Sequence, residues 1–226
     1  MLLLAAFLAL VLGLVQFFSE HIVKTCDKYY AHVLSFSAGI SVTYVFVHLF
    51  PHFSQDVVKT NQLLFVSVLF GFIFVHLIEK YVFQHSSNDL VDDRLGVLNQ
   101  FTSVFYHIVL GIVIFDFSEQ GLLKILLLFV PIIIFTGVST LPVRHHSSNF
   151  VRFFVSLSTL AGVVLAWLLF DTIQGIIQFG LVGFVIGGLL FSVIRHSIPH
   201  GKEGKPLFFI IGVALYTPII LYAFMF

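Results

Sequence analysis

Charge is what this chain has least of. Only 10% of its 226 residues are Asp, Glu, Lys or Arg, against about 25% in a soluble domain, and 59% are hydrophobic. A mean hydropathy of +1.07 excludes an ordinary soluble globular fold. Eleven basic and eleven acidic side chains cancel, so no global positive field exists and no nucleic-acid partner is expected. Cysteine occurs once, at Cys26, which excludes an internal disulfide and a cysteine-cluster metal site. Trp occurs once and Tyr seven times, whereas Phe occurs 29 times; that balance suits lipid-facing and helix-packing surfaces better than stacking platforms.

What the chain has in abundance is long apolar runs. A helix crossing hydrocarbon needs about 20 mostly apolar residues. Eight such runs are present, at 1–18, 32–50, 62–83, 101–117, 121–141, 150–170, 174–194 and 206–226, separated by short polar breaks such as Pro51, Ser86-Ser87-Asn88-Asp89 and Gly201-Lys202-Glu203-Gly204. The expected fold is a single all-α integral membrane domain of eight transmembrane helices in a lipid bilayer. The first run resembles a signal-peptide core but lacks a basic segment before it and a small-x-small cleavage site, so it is read as a retained helix. Basic residues on alternate breaks set the orientation. Lys24, Lys28, Lys80, Arg94, Arg144, Arg152, Arg195, Lys202 and Lys205 fall on one side and only Lys59 and Lys124 on the other. The richer side should be cytoplasmic, with both termini extracytoplasmic.

An internal repeat is visible in the same runs. Gly39, eight residues, then His48-Leu49-Phe50-Pro51-His52 is matched by Gly187, eight residues, then His196-Ser197-Ile198-Pro199-His200. The two copies close the second and seventh runs, which cross in opposite senses. Antiparallel copies of one unit are the sequence trace of an inverted repeat, an architecture used for alternating access. His48 and His52 would then mark the outer end of a pathway, and His196 and His200 the inner end. The same topology argues against an enzyme. A membrane hydrolase of the ceramidase or progestin-receptor type needs an early His and a late His-x3-His pair around one zinc, yet a span of helix separates His48 from His196 and His200 by about 25–30 Å.

The chain resembles the ZIP family of divalent-metal transporters. The resemblance rests on Ser35 to Gly39 running to His48-Leu49-Phe50-Pro51, on Gly71-Phe72 leading to Glu79 and His85, and on Gly183 to Pro199. It implies a ZIP-like bundle in which inverted three-helix repeats, helices 1–3 and 6–8, flank helices 4 and 5. It also implies transport of a divalent cation of the zinc, iron or manganese class. The family's fourth helix carries His-Asn-x-x-Asp-Gly, whereas this chain has Tyr106-His107-Ile108-Val109-Leu110-Gly111; the fifth carries His-Glu-x-Pro-His-Glu, whereas here Pro131 is followed by Ile132-Ile133-Ile134. The carboxylates that would compensate a divalent ion in the bilayer are missing.

Ionisable groups at membrane depth are functional candidates in their own right. His76 and His107 share a depth, and Tyr106 or Ser103 beside His107 would add oxygen, giving a relocated metal site that takes zinc. The alternative is that each is a neutral imidazole bonded to a nearby carbonyl, joining helices for about 0.6 kcal/mol. His85, Asp89, Asp92 and Asp93 form an acidic group in the longest loop, read either as a cation collector or as solvated loop. Asp116 and Glu119 read as interfacial and solvated. Gly183, Gly187, Gly188, Gly137 and Ser139 allow close helix approach, within the chain or across a homodimer or larger complex. Two functions are thus expected: a ZIP-like transporter with an atypical metal site, or a non-transporting ZIP-fold structural or regulatory subunit.

Overall fold

The computed structural model describes residues 1–25, 29–85, 89–139, 149–169, 175–192, 194 and 204–224. Among the described residues there is no strand and there are eight helices. They are α1 Leu2–Thr25, α2 Tyr30–Thr60, α3 Phe65–His85, α4 Asp89–Glu119, α5 Leu122–Ser139, α6 Asn149–Leu168, α7 Ile176–Ser192 and α8 Pro206–Ala223. Gly121 (φ 125°) and Gly175 (φ 76°) turn the chain into α5 and α7 through backbone that only glycine adopts without strain.

Two elements depart from the sequence expectation. The second helix was expected to stop at Pro51, but α2 continues to Thr60. It passes the proline through a π-helical turn, Tyr44–Leu49, after which the Phe50 N–H donates to the Val45 carbonyl five residues back. The wider turn makes room for a residue that has no N–H and whose ring crowds the preceding carbonyls. The segment from Asp89, expected as the longest loop, is instead the beginning of the 31-residue α4. Asp89, Asp92 and Asp93 therefore stand in the first turns of a helix, where carboxylates favour the positive end of the helix dipole.

Helix pairing is set by glycines. α2 packs along α8, and α3 along α7. A Cβ on Gly39 would strike the Phe209 carbonyl and the Val213 nitrogen, and one on Gly212 the Phe36 carbonyl. In α7 and α3 the pattern recurs: Gly187 lies against the Val68 carbonyl and the Phe72 nitrogen, and Gly71 against the Phe184 carbonyl. Phe36 and Gly39 have the spacing of Phe184 and Gly187, and Phe209, Gly212 and Val213 that of Val68, Gly71 and Phe72. A further pair, α4 with α6, meets through Gly111 on the Thr159 carbonyl and Gly162 on the Ile108 carbonyl. α1 packs on α5 and α6. The core runs down the middle, from Ala5, Leu8 and Leu12 through Val109, Leu110 and Ile114 to Ile125, Leu128, Val185 and Ile186.

Contacts at the helix ends fix the direction of each helix. The Met1 amino group lies 3.7 Å from Glu119, and Gln178 donates to Asp116 at 2.6 Å. Gly183 of α7 abuts Phe53 of α2, and His48 meets Phe224 with ring centroids 5.5 Å apart. The start of α1 and the end of α8 thus share one end of the bundle. At the other end the Lys205 N–H donates to Ser35 Oγ at 3.1 Å. α2 runs toward the Met1 end, and α7 runs away from it.

Two helices, Tyr30–Thr60 and Pro206–Ala223, are long and apolar enough to cross a membrane. The remaining apolar stretches of the described residues are Leu2–Phe18, Gln62–Ile78, Leu122–Gly137, Arg152–Leu168 and Ile176–Phe191, each 10–17 residues long. At 1.5 Å per residue, 17 residues cover about 25 Å of a hydrocarbon core about 30 Å thick. Eight full-length spans were expected from the sequence; by this measure two of the helices qualify.

Candidate functional site

Among the described residues α2 carries more buried polar side chains than any other helix. Ser37, Ser41, Tyr44 and His48 follow one another at intervals of four, three and four residues, which sets them on one face of the helix. Ser37 and Tyr44 are 0% exposed, Ser41 3% and His48 4%, so none of them reaches solvent directly. Among the described residues none has a hydrogen-bond partner: the two serine hydroxyls, the Tyr44 hydroxyl and both ring nitrogens of His48 are all unpaired. Off that face the hydroxyls behave differently. Thr43 donates to the Gly39 carbonyl at 2.8 Å, and Ser35 to the Ala31 carbonyl at 2.8 Å. Tyr44 and His48 belong to the π turn, their rings 5.5 Å apart. His48 in turn meets His52 at 5.6 Å, edge to face. His52 Nδ1 lies 3.9 Å from the Asp56 carboxylate, where the face opens at the Met1 end.

His107, the central residue expected to bind metal, is buried on α4 and turns back on its own helix. Its Nδ1 is 2.7 Å from the Ser103 carbonyl, so Nδ1 carries the proton and donates, leaving Nε2 as the nitrogen able to take a ligand. Tyr106 is beside it with a buried, unpaired hydroxyl; a Cβ on Gly188 of α7 would be 3.0 Å from its ring. His76 packs edge-on against Phe191 of α7 at 5.3 Å rather than on another polar group. Among the described residues no three His, Cys, Asp or Glu side chains come together in a way that holds a metal ion. α5 contributes Ile125, Leu128 and Ile132 to the core, with Thr136 its buried hydroxyl. His196 and His200 lie outside the described residues, as do the side chains of His85, Asp89, Asp92 and Asp93.

A second polar group joins α4 to α7. Asp116 accepts from Gln178 at 2.6 Å through one oxygen and from Gln120 at 2.9 Å through the other; Lys124 reaches Gln120 at 3.4 Å. Asp116 is therefore a part-buried link between helices, not the freely solvated group expected.

No family model, no curated protein and no solved structure matches the chain. Sequence reasoning passed over Ser37, Ser41 and Tyr44, although a signal was present: their phase with His48 is that of one helix face, in an otherwise apolar run.

Proposed function

We propose that the chain is an eight-helix membrane transporter built as an inverted repeat, ZIP-like in outline, that moves a divalent cation of the zinc, iron or manganese class by alternating access. The observation that carries this reading is the matched packing of α2 on α8 and of α7 on α3, with Gly39 and Gly187 in corresponding places on helices that run in opposite senses. His48 follows Gly39 by nine residues and His196 follows Gly187 by nine, so the repeated histidines belong to the same correspondence. Two equivalent units of opposite orientation give a molecule two states of nearly equal packing, which is what alternating access requires.

An apolar exterior supports the membrane reading. Leu3 is 87% exposed, Phe7 62%, Leu63 74%, Phe70 59% and Leu207 66%, on helices distributed through the chain. In water, a surface of this kind drives aggregation; in hydrocarbon it costs nothing. Helices shorter than the bilayer are accommodated by local thinning, at a fraction of a kcal/mol per Å. Both termini are then extracytoplasmic, by the excess of basic residues at the opposite end. Thiol labelling from outside intact cells of variants with a cysteine at Met1 or at Phe224, in a Cys26→Ser background, should modify both; labelling of one alone would overturn this topology.

The second reading, a non-transporting structural or regulatory subunit, draws on one specific observation: no three-donor metal cluster forms among the described residues. Uptake of zinc, iron or manganese into liposomes containing the purified protein decides between the two. Flux above that of empty liposomes is expected; its absence would leave the subunit.

If a divalent ion pauses inside the bundle, His107 Nε2 is the nitrogen to hold it, because Nδ1 is committed to the Ser103 carbonyl. Zinc located by anomalous scattering should lie at His107, vanish in His107→Ala, and weaken in acid as the imidazole takes up a proton. Zinc ligated from α5 would contradict this.

A further inference from the structure

We propose that the polar face of α2, from His52 through His48 and Tyr44 to Ser41 and Ser37, is a hydrated inlet open at the Met1 end of the bundle, in which His48 takes up and returns protons. The proposal rests on the membrane reading above but not on the metal cargo.

The buried, unpaired groups are the starting point. Leaving one buried donor or acceptor unsatisfied costs about 1–3 kcal/mol, and folded proteins satisfy such groups with water where no protein partner exists. Five polar atoms in a row, on Ser37, Ser41, Tyr44 and the two nitrogens of His48, lack a protein partner among the described residues. From Ser37 to His52 the helix rises about 22 Å, so a file of water along this face reaches from the end of the bundle deep into it. Thr43 and Ser35, off the face, satisfy themselves on backbone carbonyls; single unpaired atoms occur elsewhere, at His32, Tyr106 and Thr159, but only this face lines up four such side chains in succession among the described residues.

The kind of side chain present selects the occupant. Serine and tyrosine hydroxyls each donate and accept, and neutral imidazole does both through its two nitrogens. None of the four buried groups carries a fixed charge. A divalent cation at this depth needs carboxylates to offset its charge, and the face has none short of Asp56 at the opening. Water and the proton need only groups that pass hydrogen bonds along. The π turn is a second, independent pointer, since such turns concentrate at functional positions and this one holds Tyr44 and His48 together.

In the step itself, a hydronium ion in the file gives its proton to a bare nitrogen of His48. Water remains, and the imidazole becomes imidazolium; the reverse transfer restores both. The rings against His48 are Tyr44 and His52 on its own helix and Phe224 at the end of α8, and Lys124 at the start of α5 is the positive charge felt there. Tyr216 of α8 faces Tyr44, and its hydroxyl is engaged by the Leu127 carbonyl at 2.8 Å. α7 contributes no titratable residue between Ile176 and Ser192. The α7 residues that correspond to Ser37 and Ser41 are Val185 and Leu189, buried and apolar, so the opposite repeat carries no matching polar file there. On this proposal protons enter and leave His48 from the Met1 end, where the face opens at His52 and Asp56.

Two measurements test the proposal. In a Cys26→Ser background, Ser41→Cys and Ser37→Cys should react with silver ion added at the Met1 side roughly tenfold faster than Thr43→Cys, buried one turn after Gly39 on the side of α2 that packs on α8, because thiolate forms only where water reaches. Equal rates at all three would overturn the inlet. In sealed liposomes with the inner pH clamped, the imidazole nitrogen signals of His48, identified by their loss in His48→Gln, should follow the pH at the Met1 side alone. Signals that follow the other side, or neither, would overturn the proton exchange. A protein that passes both tests and moves no metal keeps the inlet and loses the transport reading; one that moves metal and fails both loses the inlet.

Discussion

Alanine in place of Gly187 should destabilise the bundle by about 3 kcal/mol, and alanine in place of Gly39 by a similar amount. At both positions the new methyl group lands on backbone: on the Val68 carbonyl and Phe72 nitrogen in one case, on the Phe209 carbonyl and Val213 nitrogen in the other. A side chain in the way would rotate aside; a main-chain carbonyl moves only if the whole helix moves. The substitution therefore separates α7 from α3, or α2 from α8, and loses the van der Waals contact along the pair. Gly180→Ala, on the same helix as Gly187, meets nothing within 4 Å and should be neutral or gain about 0.5 kcal/mol from helix propensity. Thermal or denaturant unfolding in detergent, followed by circular dichroism, reads all three. Equal stability of Gly187→Ala and Gly180→Ala would remove the close approach, and a large cost at Gly187 with none at Gly39 would remove the correspondence between the two helix pairs.

Much of this architecture was legible in the sequence, and the parts that were not share physical causes. Eight helices follow from apolar runs between polar breaks, and Gly39 and Gly187 in their repeated frame mark the two helices that play equivalent parts. Which helix each of them packs against was not legible, because α2 pairs with α8 across the length of the chain and adjacency in sequence carries no information about it. The stop expected at Pro51 failed because the rule that proline ends a helix assumes an α-helical turn before it; a π turn removes the clash. The segment around Asp89, Asp92 and Asp93 reads as loop on charge alone, yet acidic residues are also what the first turns of a helix prefer.

The polar interior was half legible. His48 and His52 stood out because histidine is rare in an apolar run. Ser37, Ser41 and Tyr44 did not, because most hydroxyls in membrane helices bond back to their own helix and mean nothing further, as Thr43 does here. Their shared phase with His48 was readable, but what marks them out is the absence of such a bond, which only the folded structure shows. For His107 the residue was legible, but the choice of nitrogen was not: the 2.7 Å bond to the Ser103 carbonyl fixes it.

Asp116 was misread for a related reason. Its partner Gln178 is 62 residues away, so at the end of its run it looks like any interfacial carboxylate. Leucine at position 116 should cost about 2 kcal/mol, since a hydrogen bond to a charged group is worth about 1.5–3 kcal/mol and the Gln178 amide is left without its acceptor. Asn at the same position keeps the shape and one acceptor, and should cost about half as much. Gln178→Leu strands the carboxylate from the other side and should fall between them, because Gln120 still donates at 2.9 Å. The bond spans two helices, so the double variant Asp116→Leu with Gln178→Leu should be more stable than the sum of the single losses, with a coupling of about 1 kcal/mol in the cycle. Additive losses would mean that the two side chains do not hold each other in the folded protein. On the transport proposal the same link gains a second role, because it ties the end of α4 to the start of α7, and α7 would belong to one of the two units that change places. If alternating access moves α7 relative to α4, the bond at the Met1 end has to break in one of the two states. Gln178→Leu should then shift the bundle toward that state, raising cysteine reactivity near the start of α7 on the Met1 side while the mid-helix contact of Gly187 with α3 stays closed to the same reagent. Unchanged reactivity in Gln178→Leu would show that α4 and α7 move as one body.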